Sequence, residues 1–310
     1  MSDTSPSPGG GLIVPRLTVA AIAAWLSRLP PEYKSSRTRL HINLYTFVLE
    51  SFLGREWVEN NVFAHGLNPG LKSDFGFLEV DFSASDKDVQ TPLFRIFDLS
   101  EILLNLQMVE GFDDCLNRLK SGDQDQIEAT FAELQVAKLL YIHEQKFRFV
   151  ARAGQTQTDY DYEIDFAGGW RACAEAKCKL ESTDIDPLSV KRSLQKARRQ
   201  LPRDRPGIIF VKVPQHWFTS SNQMTDELRK VTRDFLRSTT RVASVKYYVS
   251  HLSLANQQVA HRHATDEIDN PDAAFTRKHW VIFKGYPVPR EWDGMPPAWI
   301  RLMRIAQGAM

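Results

Sequence analysis

Apolar positions change their spacing near residue 123, and the change divides the chain into two regions of different character. Upstream, helical spacing prevails. Residues 18–29 keep apolar side chains on one stripe until Pro30-Pro31, which cannot continue a helix. Residues 37–53 repeat the pattern with Leu40, Leu44, Phe47, Val48 and Phe52, and stop at Gly54. A loop-rich stretch over 60–92 holds Gly66, Pro69, Gly70, Gly76 and Pro92, and 98–110 reads as a helix through Leu103, Leu104 and Leu106. Downstream, the period alternates between helix and strand. Residues 124–144 form the strongest helical pattern, followed by strands at 147–151, 160–166 and 170–178. A basic helix at 188–200 leads to a wholly apolar strand at 207–213. A helix at 224–238 and strands at 242–249 and 279–283 complete the series. This alternation predicts an α/β fold with a central mixed sheet flanked by helices, preceded by a helical region. The expected segments are a disordered tail at 1–15, a helical region at 16–122, an α/β core at 123–285 and an extension at 286–310.

Composition narrows the classes without choosing one. The chain has 310 residues, 43% of them apolar and 25% charged, as in an ordinary globular protein. No window approaches the roughly eighteen consecutive apolar residues of a membrane span. The polar opening MSDTSPSPGGG lacks the basic start and apolar middle of a signal peptide, so a cytoplasmic location is expected. Cys115, Cys173 and Cys178 are too few and too scattered for a disulfide framework, and Cys173 and Cys178 lack metal-binding spacing. His251, His261 and His263 have no supporting cysteine and are not read as zinc ligands. Net charge is only +1, so any nucleic-acid affinity must come from local charge.

Chemistry concentrates in one hairpin. On a strand over 170–178, Glu175 and Lys177 project to one side, while Ala174, Ala176 and Cys178 project to the other. On the preceding strand Asp159, Asp161, Glu163 and Asp165 share a face, and Tyr160, Tyr162, Ile164 and Phe166 share the opposite one. If Ala167-Gly168-Gly169 is a three-residue loop, Asp161 falls opposite Glu175 and Asp159 opposite Lys177. Two carboxylates side by side repel unless a cation lies between them. Hard carboxylate oxygens suit Mg²⁺ or Mn²⁺. A metal so held polarises a phosphate and acidifies a water, and Lys177 is placed to orient that water and offset developing charge.

The order of a helix with an internal Glu133, a strand, an Asp161-bearing strand, a turn and a strand carrying Glu175-Ala176-Lys177 resembles the PD-(D/E)XK nuclease superfamily. The basic helix and the GIIFV strand that follow keep the same order. The resemblance spans about residues 124–250. It implies a restriction-endonuclease-like core and a hydrolase that cleaves phosphodiester bonds with Mg²⁺, usually in DNA. Tyr160 stands where the motif has its proline, which leaves Asp159 as a competitor for Asp161. Glu133 has Ala129, Thr130, Val136 and Ala137 as helical neighbours, and a metal site would explain a charge on so apolar a stripe. The acidic-x-Lys triplet alone is weak, since Glu32-Tyr33-Lys34 and Glu144-Gln145-Lys146 repeat it. An exposed hairpin with cross-strand ion pairs would explain the charges equally simply.

Lys191, Arg192, Gln195, Lys196 and Arg199 on the basic helix are the expected nucleic-acid contacts, with Arg198 beside them, and some branches of the superfamily use a glutamine such as Gln195 or Gln200 here. A second basic set follows in Arg229, Lys230, Arg233, Arg237 and Arg241. The expected partner is therefore nucleic acid, DNA before RNA, and not a membrane. The rival expectation is a catalytically inactive nuclease-fold module that binds nucleic acid or a protein. Oligomeric state, a homodimer included, is left open.

Overall fold

The computed structural model describes residues 15–63, 76–80, 86–152, 159–166, 171–180, 183–218, 224–255, 258–275 and 299–308, with backbone alone at 86–90, 250–255 and 258–263. The helical region comprises α1 (Val19–Arg28), α2 (Pro31–Lys34), α3 (Arg37–Leu53), α4 (Arg55–Asn61), α5 (Asp86–Leu106) and α6 (Phe112–Ser121). Then come α7 (Gln124–Ile142), β1 (Lys146–Phe149), β2 (Tyr162–Asp165), β3 (Arg171–Cys178), α8 (Pro187–Gln200) and β4 (Gly207–Lys212). After a 3₁₀ turn at Gln215–Trp217 follow α9 (Asp226–Arg237), β5 (Val242–Ala255), β6 (Gln258–Asp269) and α10 (Leu302–Gln307).

The fold is α/β, with one mixed sheet flanked by helices. Its described strands run in the order β1-β2-β3-β4-β5-β6. β1, β2 and β3 form an antiparallel meander, β4 and β5 continue parallel to β3, and β6 returns antiparallel. Every residue of β4 is buried, as expected of a strand flanked by parallel neighbours and covered on both faces. One face carries Tyr162, Ile164, Ala172, Ala174, Ala176, Ile208, Phe210 and Tyr248 in the core shared with the helical region. The other carries Cys173, Ile209, Val211 and Val245, packed with Val190, Leu194 and Ala197 of α8 and Phe235 of α9.

α7 lies against the first face. Asp123 caps its start by accepting from the Gln126 N–H at 2.9 Å. The three β3 alanines leave room for the helix, and two strand tyrosines grip its backbone. Tyr162 Oη donates to the Glu133 carbonyl at 2.6 Å and Tyr248 Oη to the Ala132 carbonyl at 2.7 Å. One buried cluster runs from Leu17 through the helical region and this sheet face to Ala306. The segment before α10 joins it through Glu101 of α5, which accepts from the Leu302 N–H at 3.0 Å and from Trp299 Nε1 at 3.3 Å.

Several expectations are corrected. The helix expected at 98–110 starts at Asp86, carries Pro92 inside it and ends at Leu106. Burial of Ile96, Leu99, Ile102, Leu103 and Leu106 outweighs the hydrogen bond that Pro92 forgoes. α6 was not expected. Gly111 caps its start at φ 81° and packs on β1, where a Cβ would stand 2.5 Å from the Phe149 carbonyl oxygen. β5 runs past 249 to Ala255, and the largely polar residues 258–269, between the expected strands at 242–249 and 279–283, form β6. That polarity suits a strand at the sheet edge. The expected strand at 279–283, nearly all of the expected tail, and the turn Ala167-Gly168-Gly169 lie outside the described residues. Among those described, no helix is long and apolar enough to cross a membrane, and none of the three cysteines is in a disulfide.

Candidate active site

The register between β2 and β3 is the expected one. Tyr162 pairs with Ala174, Glu163 with Cys173 and Asp165 with Arg171. Just ahead of β2, the Asp161 N–H donates to the Ala174 carbonyl at 3.0 Å, which sets Asp161 beside Glu175. The expected face of Tyr160 is corrected. The chain bends at Asp161, so Tyr160 enters the second core with Cys173, away from Tyr162. Its hydroxyl donates to Glu163 Oε1 at 2.7 Å. Glu163 also pairs with Arg148 and Arg205 at 2.5 and 2.8 Å. It belongs to this separate ion cluster.

The Asp161 carboxylate is buried, with Oδ2 accepting from the Ala176 N–H at 2.7 Å. Arg152 Nη2 lies 3.1 Å from Asp161 Oδ1 and 2.6 Å from Glu133 Oε1, so one nitrogen ties α7 to the β2 hairpin. The second Glu133 oxygen is 2.6 Å from Arg118 Nη1 of α6. Arg118 is also held by Asp114 at 3.1 Å and by Cys115 Sγ at 3.0 Å.

Glu175 is 1% exposed. Lys177 Nζ pairs with its Oε1, while Oε2 has no hydrogen-bond partner among the described residues. Lys177 also donates to Gln200 Oε1 at 2.7 Å, and Gln200 Nε2 donates to the Asp159 carbonyl at 2.9 Å. A glutamine at the end of α8 thus locks the lysine and the approach to β2 together. The carboxylate turned toward Glu133 and β3 is that of Asp161; Asp159 meets this network through its backbone.

Burial, then the adjoining Asp161 carboxylate, push the Glu133 carboxyl up to about 7, against the pull of Arg118 and Arg152. Burial and Asp161 also drive Glu175 well above the ordinary carboxylate range, with Lys177 opposing. A raised acid contributes stability that is present below its unfolded pKa and lost as pH rises through the folded one. For Glu133 that window runs from 4.5 to about 7. Chemical denaturation in EDTA should therefore show stability falling between about pH 5 and pH 8, with a shallower fall in Glu133→Gln. Equal slopes in the two proteins would contradict this assignment.

α8 starts with Pro187 after Asp186, which accepts from the Leu188 N–H at 2.9 Å. Its buried stripe leaves Lys191, Arg192, Lys196 and Arg199 exposed, with Gln195 and Arg198 half-buried. Arg192, Lys196 and Gln200 follow one another at helical spacing. They form a polar ridge that ends at Lys177 after roughly 12 Å. In the second basic set, Arg229 pairs with Asp266 at 2.5 Å, whereas Lys230, Arg233 and Arg237 are exposed.

The structure therefore joins Glu133 to Asp161 through Arg152 and Glu175 to Lys177 and Gln200, with Asp161 held on the Ala176 N–H between Glu175 and Lys177 in sequence, and it adds Arg118 and Arg152, which sequence reasoning missed. Spacing of Phe112, Cys115, Leu116 and Leu119 could have revealed α6 and so Arg118; no local signal marks Arg152. Carboxylate oxygens and the orphaned Glu175 Oε2 suit a hard divalent cation between Asp161 and Glu175. Among the described residues, no three His, Cys, Asp or Glu side chains are gathered to hold a metal ion. Glu133 is instead held in its ion pairs with Arg118 and Arg152.

No family model and no curated protein matches the chain. Among solved structures it is similar to the central domain of yeast acetyl-CoA carboxylase, at 10% identity and a TM-score of 0.29 over 78% of this chain. The match spans 42% of that protein's chain, and a likeness at this level carries no argument about either fold or function.

Proposed function

We propose that the chain is a metal-dependent phosphodiesterase acting on nucleic acid, built on a restriction-endonuclease-like core. The observation that carries this reading is Glu175, buried beside Asp161 with one oxygen unpartnered and Lys177 against the other. The succession α7, β1, β2, β3, α8, β4, with β4 parallel to β3, supports it by matching the order in which the superfamily resemblance runs. Asp161 and Glu175, with Glu133 nearby, would hold Mg²⁺ or Mn²⁺. Such an ion, when bound, polarises a phosphate and lowers the pKa of a water.

The chain's own groups do the remaining work. Lys177, fixed by Glu175 and Gln200, presents an ammonium where negative charge develops on phosphorus. Asp161 is aimed by the Ala176 N–H, so its position is set by backbone. The ridge of Arg192 and Lys196 offers phosphate contacts that lead to that point, and DNA is preferred over RNA on the resemblance alone. Incubation with plasmid, single-stranded DNA and RNA in Mg²⁺, Mn²⁺ or EDTA tests the reading: cleavage with metal and none in EDTA is expected.

The network also favours a second reading, a non-catalytic binding module, because each of the three acids already has a cationic partner. Binding with no cleavage in any metal would establish it. Under either reading, replacing Arg192, Lys196 and Arg199 together by alanine should weaken binding alike on all sequences. The slope of log affinity against log salt should fall by about 3, near one unit per lost phosphate contact. An unchanged slope would move the contact surface elsewhere.

A further inference from the structure

Three carboxylates, Glu133, Asp161 and Glu175, are matched in this site by three cations, Arg118, Arg152 and Lys177. The cations are not held alike. Arg118 is 18% exposed and anchored by Asp114 and Cys115 as well as Glu133. Lys177 is 18% exposed and anchored by Gln200 as well as Glu175. Arg152 is 37% exposed, and its hydrogen-bond partners among the described residues are Glu133 and Asp161 alone. It also lies outside every helix and strand, three residues past the end of β1. A single one of its nitrogens touches both carboxylates.

We infer that Arg152 is a resident cation covering the Glu133 and Asp161 side of the metal position, and that a divalent ion and the Arg152 bridge exclude one another. This rests on the reading of Glu133 and Asp161 as groups that face a metal. Even with all three carboxylates ionised the site is neutral, so a divalent ion entering beside Arg152 would leave it with at least two excess positive charges in a largely buried setting, where such an excess is costly. Arg152 is the cation free to leave, because it is the most exposed of the three and, among the described residues, nothing but the two carboxylates holds it. The bridge fixes Glu133 and Asp161 until the ion arrives, and it lowers the apparent metal affinity by the fraction of molecules in which it is closed.

Mn²⁺ binding, read from the electron paramagnetic resonance of the free ion and from the Mn²⁺-induced rise in Tm, tests this without any substrate. The wild type, Arg152→Ala, Arg152→Gln and Arg148→Ala are compared, with circular dichroism to show that each is folded. Arg148 is a fair control, since it pairs with Glu163 and Glu110 in the separate cluster. The expected result is Mn²⁺ affinity at least about tenfold tighter in both Arg152 variants, as when a competing closed state is removed, with Arg148→Ala unchanged. Affinity in the folded Arg152 variants equal to or weaker than wild type would overturn the inference while leaving the metal-site reading intact. No Mn²⁺ binding by any of the four proteins would overturn that reading, and the inference with it.

Discussion

Lys177→Ala should cut the rate of nucleic-acid cleavage by about 10²–10³-fold, the usual loss when one preorganised donor to developing charge is removed. Two effects combine. The ammonium vanishes from the reacting phosphate, and Glu175 loses its one hydrogen-bond donor among the described residues, which leaves neither buried oxygen a partner among them. A buried carboxylate without a partner takes up a proton, so the variant should also hold metal less well. Lys177→Arg should recover little. The planar guanidinium does not reproduce a point charge set between Glu175 and Gln200. Single-turnover rates at saturating metal would check both variants, and a rate within a few-fold of wild type for Lys177→Ala would contradict the role given to this lysine.

The second large effect is on stability. Arg118→Ala removes the cation facing Glu133 Oε2, and Glu133 is nearly inaccessible. Breaking a buried pair from one side costs about 3–5 kcal/mol, because the remaining charge is left uncompensated. Arg152 retains its contact with the other oxygen, and Glu133 can escape part of the cost by taking up a proton, since its carboxyl already sits near 7. The loss should accordingly be larger at about pH 8 than at about pH 5. Urea denaturation at the two pH values reads this directly, and a cost that is the same at both would mean Arg118 acts mainly through packing with Cys115 and Asp114. By comparison, an exposed pair such as Arg55–Glu59 should contribute little, because water and salt screen it.

Much of this arrangement was legible before the structure. The expected register of the two strands was enough to set Asp161 beside Glu175, and parity within β3 to place Lys177 two residues on. The apolar run of β4 announced a strand buried on both faces. Glu133 stood out as a charge on an apolar stripe. Local pattern failed where distant parts of the chain meet. The ion pairs of Arg118 and Arg152 join elements by contacts no periodicity encodes. The bend at Asp161 turned Tyr160 into the second core against the parity rule. Pro92 was assigned to a loop-rich stretch, although burial of the α5 stripe on α3 and α7 carries the helix through it. The long β5–β6 hairpin was hidden by the polarity of its edge strand.

Gln200 shows how far each level reaches. Its residue type and helix could be named from sequence as one of two candidate glutamines. Only the structure distinguishes it from Gln195, by placing its amide between Lys177 and the Asp159 carbonyl.

The central claim is that Glu175 belongs to a hydrolytic centre, and Glu175→Gln tests it most directly because the change keeps size and shape while removing the charge. Nucleic-acid binding and cleavage by the wild type and this variant would be measured side by side in Mg²⁺ and Mn²⁺. The account predicts that the variant binds with wild-type affinity and does not cleave. Cleavage by Glu175→Gln at the wild-type rate would place the chemistry elsewhere and contradict it.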